Sequence, residues 1–86
     1  MARKVKEEEI LVLNEGDAIR SAMKERGMKQ IELAEKLGML QSGLSNSINR
    51  KHISVDVFKT ILDAMDYDVA VVDRQTGEVK CRVIVK

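Results

Sequence analysis

The stretch between Gln41 and Asn49 contains amide and hydroxyl side chains at helical spacing. In a helix they would share one face, and Leu44 and Ile48 would lie on the opposite face. This polar set is Gln41, Ser42, Ser45, Asn46 and Asn49. Amide side chains can pair with two atoms of an adenine edge in the DNA major groove, and serine can bond to several base edges. A helix that is only solvated usually carries Lys and Glu, so this nearly uncharged face is compatible with base readout as well as with simple solvation, and the motif described below favours base readout. The residues expected to read bases are Gln41, Ser42, Ser45 and Asn46.

Basic residues follow the same stretch. The whole chain has 15 basic and 14 acidic residues and a net charge of +1, a smaller surplus than most DNA-binding domains have. Between positions 41 and 60, however, Arg50, Lys51 and Lys59 are balanced only by Asp56. Contacts to phosphate position a protein on DNA without reading its sequence. The residues expected to make them are Lys29, Asn49, Arg50, Lys51 and His52.

Other kinds of chemistry find little support in the sequence. No glycine-rich phosphate loop and no nucleophile with a base at a recognisable spacing is present, so we expect no enzymatic activity and no cofactor. His52 has no second His and no Cys at ligand spacing, which argues against a metal site. No apolar run is long enough to span a bilayer, no signal-peptide pattern occurs, and Cys81 is the only cysteine. These features predict a cytoplasmic protein with no membrane association.

The polar stretch belongs to a predicted pair of short helices from Gln30 to Asn49. Apolar residues recur at helical spacing before Gly38, which then interrupts the pattern, and Leu44 and Ile48 resume it. Gly38 suits a left-handed residue at the end of a helix, because it has no Cβ. Ala34 lies one turn earlier, where a small side chain lets a second helix cross closely. The pattern therefore predicts helix, tight turn, helix.

These residues resemble the helix-turn-helix of the phage repressor and Cro superfamily, the XRE type. The resemblance runs from Lys29 to about Lys51 and rests on Gln30, the block from Leu33 to Gly38, Gln41-Ser42 and Leu44. Leu40 departs from it, since the family often has a Ser or Thr cap there. The resemblance implies a mainly α, lambda-repressor-like domain of four helices whose second motif helix enters the major groove. It also implies that Gln30 clamps the DNA backbone, where a helix N-terminus favours phosphate.

Two further helices are predicted around the motif. Asn14 is a good N-cap for a first helix that stops at Gly27. Ser54 is a plausible N-cap for a fourth helix that ends at Tyr67 and Asp68. Its apolar stripe should close the core, with Phe58 as the largest core side chain. The stripe consists of Val55, Phe58, Ile61, Leu62 and Met65. The division is thus 1–13 as a tail or short strand, 14–67 as the DNA-binding domain and 68–86 as a hairpin.

The C-terminal hairpin is predicted from a change of period. A β-branched run covers 69–72, and from Val79 onward apolar and polar residues alternate. Gly77 suits a left-handed position after the turn. Alternation would place Cys81 on the side of Val79, Val83 and Val85, so core packing is its expected role. Because an isolated hairpin is barely stable, we expect this one to form a dimer interface. The interface residues would be Val69, Val71, Val72, Val79, Cys81, Val83 and Val85.

The sequence therefore predicts a sequence-specific transcriptional regulator that binds double-stranded DNA. We expect a repressor acting as a homodimer on a palindromic operator. Two alternatives stay open. The fourth helix followed by an apolar strand also resembles HipB-type antitoxins, which repress their own operon and hold a toxin protein. The low net charge would also permit a protein-interaction module that has lost DNA binding.

Overall fold

The computed structural model describes residues 13–85. Its elements, in chain order, are α1 (Glu15–Arg26), α2 (Gln30–Leu37), α3 (Gln41–Ile48), α4 (Val55–Asp63), β1 (Val69–Val72) and β2 (Val79–Val83). The two strands form one antiparallel sheet. The predicted fold class, mainly helical with a C-terminal hairpin, is confirmed. The tail or short strand expected in the first 13 residues lies outside the described residues, except for Leu13.

Local sequence signals explain where the helices begin and end. Asn14 Oδ1 accepts a hydrogen bond from the Asp17 amide at 2.8 Å, and Ser54 Oγ accepts one from the Val57 amide at 3.3 Å. Both side chains therefore satisfy a first-turn amide that has no partner inside its helix. At the other ends, Gly27 and Gly38 have φ values of 62° and 67°. This left-handed conformation lets the chain leave α1 and α2 abruptly.

The core is aliphatic and lies where the four helices meet. Its buried residues are Ile19, Leu33, Ala34, Leu44, Ile48, Ile61, Leu62 and Met65. Ala34 is 2% exposed, as expected for the small residue at the crossing of α2 and α3. The prediction that Phe58 would be the largest core side chain is wrong, because Phe58 is only half-buried at the rim of the core. The last part of α4 and the residues after it, with Ile61, Leu62 and Met65, fill the centre instead.

The fourth helix ends at Asp63, earlier than the predicted end at Tyr67 and Asp68. Asp66 adopts φ 64°, and the Met65 and Tyr67 amides both donate to the Leu62 carbonyl. Lys36 Nζ on α2 donates to the Ala64 carbonyl at 2.9 Å. These contacts satisfy carbonyl groups that a helix end leaves unpaired.

The turn after α4 is held to the end of α1 by the side chains of Glu25, Arg26 and Tyr67. Arg26 Nε donates to the Met65 carbonyl at 3.0 Å, and its guanidinium lies 4.1 Å from the centre of the Tyr67 ring. The Tyr67 hydroxyl donates to the Glu25 carboxylate. That hydrogen bond is the main reason that the pKa of Tyr67 is raised above 10.0, since it stabilises the protonated phenol. These contacts fix α4, and the hairpin after it, to α1.

The hairpin has the predicted left-handed glycine, with Gly77 at φ 76°, but its register contains a bulge. Val71 lies opposite Cys81, whereas the next residue, Val72, lies opposite Val79. Since neighbouring residues of β1 face opposite sides of the sheet, Val79 and Cys81 also face opposite sides. The expectation that Val79 shares a face with Cys81 and Val83 is therefore wrong. The extra residue, Lys80, shifts the alternation by one position.

Within the single chain the hairpin is mostly solvent-exposed. Of the predicted interface residues, Val69 packs against the helical core, while Val83 and Val85 are half-buried. Val71, Val72 and Val79 are about half exposed, at 51%, 49% and 57%. Cys81 is exposed, so the expected core role of this cysteine is wrong for the single chain. The physical reason is that the hairpin extends away from the helices.

Candidate nucleic-acid interface

The third helix presents two different faces. Leu44 and Ile48 are 0% and 1% exposed, which confirms their inward orientation. Gln41, Ser42 and Asn46 are exposed on the other side. The buried face fixes α3 against α1 and α2, so the polar face is held by packing and not by its own residues. A rigid helix with uncharged polar groups outside is a suitable element for reading base edges.

Ser45 and Asn49 lie one turn apart on α3. Unlike those of Gln41, Ser42 and Asn46, their side chains are hydrogen-bonded to each other. Ser45 is half-buried, and its hydroxyl accepts a hydrogen bond from the side-chain nitrogen of Asn49, Nδ2, at 3.4 Å. The side-chain oxygen of Asn49, Oδ1, accepts a hydrogen bond from the Arg20 guanidinium. Asn49 is therefore oriented by contacts within the protein at the end of α3. It can still reach a phosphate through its remaining amide hydrogen.

Arg20 links the first helix to the end of the third. Besides its bond to Asn49, its guanidinium donates to Asp17 at 3.0 Å. Local sequence patterns do not single out Arg20, because it lies 29 positions before Asn49. The only local signal was its spacing of three from Asp17, typical of an ion pair on a helix surface. In the folded chain this arginine lies beside the predicted phosphate contacts.

A second contact between the same helices involves Gly16. This residue is buried in the first turn of α1, and a Cβ built on it would lie 2.5 Å from the Ile48 carbonyl oxygen. Only a residue without a side chain permits this close approach. The start of α1 is therefore seated directly on the end of α3. The position of the polar face depends on that contact.

The loop after α3 places the predicted basic residues beside this junction. Arg50, Lys51 and His52 are exposed, and Arg50 and Lys51 form no ion pair with any residue of the described range 13–85. Arg50 and Lys51, together with Arg20 and Asn49, border a cleft of about 250 Å³ at the start of α1. Glu15 is the acidic residue lining it. Cations next to the polar face give the arrangement expected for contacts to phosphates on either side of a groove.

Gln30 is the first residue of α2 and is half-buried. The preceding amide, of Lys29, donates to the Glu32 carboxylate at 3.1 Å. Glu32 thus satisfies one of the free amides at this helix start and places a negative charge there. Gln30 has the predicted position, but a phosphate approaching it would meet that charge.

Leu40 is a position at which this chain departs from the family pattern. It is the N-cap residue of α3, has no side chain able to cap, and is 77% exposed. It precedes Gln41 directly, so an apolar group lies at the edge of the polar face. A large exposed apolar side chain next to a candidate base-reading face could contact a thymine, because thymine presents a methyl group in the major groove.

Residues 13–85 contain neither a candidate metal site nor a candidate membrane-spanning helix. No group of three or more His, Cys, Asp or Glu residues among positions 13–85 is arranged to hold a metal ion. None of the helices described here has the length and apolar character required to cross a bilayer.

Comparison with known proteins agrees with the fold and with the motif. The helix-turn-helix family HTH_3 matches residues 19–72, which is more than half of the 86-residue chain. Comparisons with curated proteins and with solved structures gave no significant match. The matched range includes α2 and α3 and extends from the middle of α1 to the end of β1. The chain therefore belongs to the XRE-type (Cro/C1) helix-turn-helix family of DNA-binding domains.

Proposed function

We propose that this protein is a transcriptional repressor that binds a palindromic operator as a homodimer, with α3 in the major groove. The observation that carries the proposal is the division of α3 into a fully buried apolar face and an exposed, uncharged polar face. Family membership supports DNA binding and, with it, transcriptional regulation. We also propose the cytoplasmic location that the sequence predicts, since the protein must reach DNA to act.

Base readout is assigned to the outward residues of α3. Gln41 and Asn46 have amide groups able to bond to adenine at two points, and Ser42 and Ser45 can bond to several bases. We add Leu40, whose exposed side chain can contact a thymine methyl group. A Leu40→Ser variant should then lose preference for thymine at one position of each half-site and keep the rest of the site.

Phosphate contacts are assigned to the residues around the junction of α1 and α3. Arg50 and Lys51 supply free charge, and Asn49, held by Arg20, supplies an oriented amide. On the other side, Lys29 would contact the backbone and supply the positive charge that offsets Glu32, and Gln30 at the start of α2 would add an uncharged contact. Such contacts make affinity fall with salt without selecting a sequence.

A homodimer explains the otherwise exposed hairpin. Val71, Val72 and Val79 are about half exposed, and a second copy would cover them. A two-fold dimer also presents two copies of α3, as a palindromic operator requires, in successive major grooves about 34 Å apart. A chain truncated after Asp68 should sediment as a monomer, retain its helical circular dichroism and lose most operator affinity.

Selection from a random pool of double-stranded DNA tests the proposal. At physiological salt the full chain should enrich a palindromic motif. Failure to enrich any motif, by a protein with native circular dichroism, would refute sequence-specific DNA binding. That result would favour a protein-interaction module. An enriched motif together with tight binding of a toxin protein would instead identify an autorepressing antitoxin.

A further inference from the structure

The hairpin has two outer edges, and they differ in chemistry. Within residues 13–85 the sheet consists of β1 and β2 alone, so each strand has one edge without a strand partner. Unpaired edges present free N–H and C=O groups to any strand of suitable chemistry. The question is which edge a second copy of the chain would use.

Backbone hydrogen bonds at the turn establish the direction of each group in β1. The Asp73 amide donates to Glu78 at 2.8 Å, and the Asp73 carbonyl accepts from Gly77 at 2.7 Å. Asp73 therefore points toward the other arm of the hairpin. Since the direction alternates along a strand, Val69 and Val71 also point toward β2. Ala70 and Val72 direct their N–H and C=O groups outward, away from β2.

The side chains of the two strands differ as well. All four residues of β1 are apolar, and Val71 and Val72 are half exposed. β2 has Lys80 and Arg82, and charged residues are a common device that keeps an edge from pairing. In addition, residues 82–85 face Asp56, Lys59 and Thr60 of α4 across a groove of about 540 Å³. β1 has no charged residue, and its Ala70, Val71 and Val72 are exposed.

We propose that β1 pairs antiparallel with β1 of a second copy, about a two-fold axis at Val71. This inference rests on the proposed homodimer and specifies how its sheet is continued. A two-fold axis perpendicular to the sheet leaves the side chains of both strands on the same face as before. One residue at the centre of the strand must then pair with the same residue of the second copy. Val71 then lies opposite the partner's Val71, and Ala70 lies opposite the partner's Val72. The outward backbone groups of both strands are thereby satisfied.

Charge distinguishes this register from the corresponding pairing of β2. Within β1 the register about Val71 sets only uncharged residues opposite one another, because all four residues of the strand are apolar. Pairing of β2 about its central residue, Cys81, would set Lys80 opposite the partner's Arg82, two like charges. Opposite charges across a strand pair stabilise it and like charges destabilise it. The edge of β1 is therefore the one suited to a second copy.

Disulfide cross-linking of the full chain tests the pairing. Residues directly opposite without mutual hydrogen bonds have Cβ atoms about 4.5 to 5.5 Å apart, near the range that a disulfide spans. Val71→Cys in a Cys81→Ser background should therefore convert most of the chain to a covalent dimer under mild oxidation. Val72→Cys in the same background is the matched control, because the partner residue facing it is alanine. That variant and the wild type, whose only thiol is Cys81, should remain largely uncross-linked.

Hydrogen exchange on the wild type provides a test without substitution. The Ala70 and Val72 amides should exchange slowly at concentrations where the protein is dimeric and rapidly after dilution to monomer. Cross-linking through Cys81 alone, or rapid exchange of both amides in a dimer, would overturn the pairing of β1. Such a dimer would leave the proposed homodimer intact. Sedimentation of the wild type as a monomer at all concentrations would refute both.

Discussion

Replacing Gly16 with alanine is the most direct perturbation of the contact that seats the first helix on the third. The new Cβ would lie 2.5 Å from the Ile48 carbonyl oxygen, whereas ordinary contacts begin at 3.4 Å. The two backbones must therefore separate by roughly 0.9 Å, because no flexible side chain is available to move. Overpacking of this kind typically costs about 1 to 3 kcal/mol.

The intrinsic preference of alanine for a helix offsets part of this cost. Alanine is favoured over glycine by at most about 1 kcal/mol inside a helix, and by less in a first turn. The net expectation for Gly16→Ala is a loss of about 1 to 2 kcal/mol in the free energy of unfolding. Urea denaturation followed by circular dichroism at the helical band measures it.

Gly43 provides the matched control, since it is also a helical glycine. A Cβ there would meet only the end of the Met39 side chain, at 3.5 Å, which is an ordinary contact. Gly43→Ala should therefore stabilise the protein by up to about 0.5 kcal/mol, because Gly43 also lies in a first turn. A Gly16→Ala variant as stable as the wild type would refute the close contact of α1 with α3. So would equal effects of the two substitutions.

Two further predictions concern the turn after α4. Asp66 adopts a left-handed conformation that glycine tolerates without strain, so Asp66→Gly should raise the free energy of unfolding by about 0.5 to 1 kcal/mol, measured in urea. A destabilised Asp66→Gly variant would argue against that conformation. The raised pKa of Tyr67 means that folding favours the protonated phenol, so its contribution is complete below pH 10.0 and is lost as the pH rises through the pKa of the folded state. The unfolding free energy of the wild type should therefore fall more steeply above pH 10 than that of Tyr67→Phe, and parallel pH profiles would contradict the hydrogen bond to Glu25.

Local patterns predicted the helix-turn-helix well because each of its signals acts over one or two turns. Gly38 ends a helix by its own conformation, Ala34 is small where two helices cross, and Leu44 and Ile48 recur on one face. The caps at Asn14 and Ser54 depend only on residues three positions away. Such features are readable from sequence because the interacting groups are neighbours in it.

Features that depend on distant contacts were missed or wrong. The hydrogen bond of Arg20 to Asn49 joins residues 29 positions apart, and nothing in the local pattern of either residue indicates it. Phe58 falls on the apolar stripe of α4, yet only the packing of all four helices decides which part of that stripe reaches the centre. Periodicity specifies a face but not the depth of burial on it.

The hairpin itself is confirmed, but the prediction of which of its residues share a face is wrong for a different reason. Its turn residues and left-handed Gly77 were predicted, but the bulge at Lys80 changes which residues share a face. Simple alternation assigned Val79 to the side of Cys81, because a pattern of period two contains no information about an inserted residue. Exposure of Cys81 follows from the position of the hairpin away from the helices, which no local pattern specifies.

Base readout by the polar face of α3 can be measured by equilibrium DNA binding of an Asn46→Ala variant. Dissociation constants are compared for the selected operator and for random DNA of the same length, with Lys51→Ala as the control. We predict that Asn46→Ala loses about 1 to 3 kcal/mol on the operator and little on random DNA. Lys51→Ala should weaken both by similar factors and reduce the salt slope by about one. Equal losses of Asn46→Ala on operator and random DNA would contradict base readout by this face.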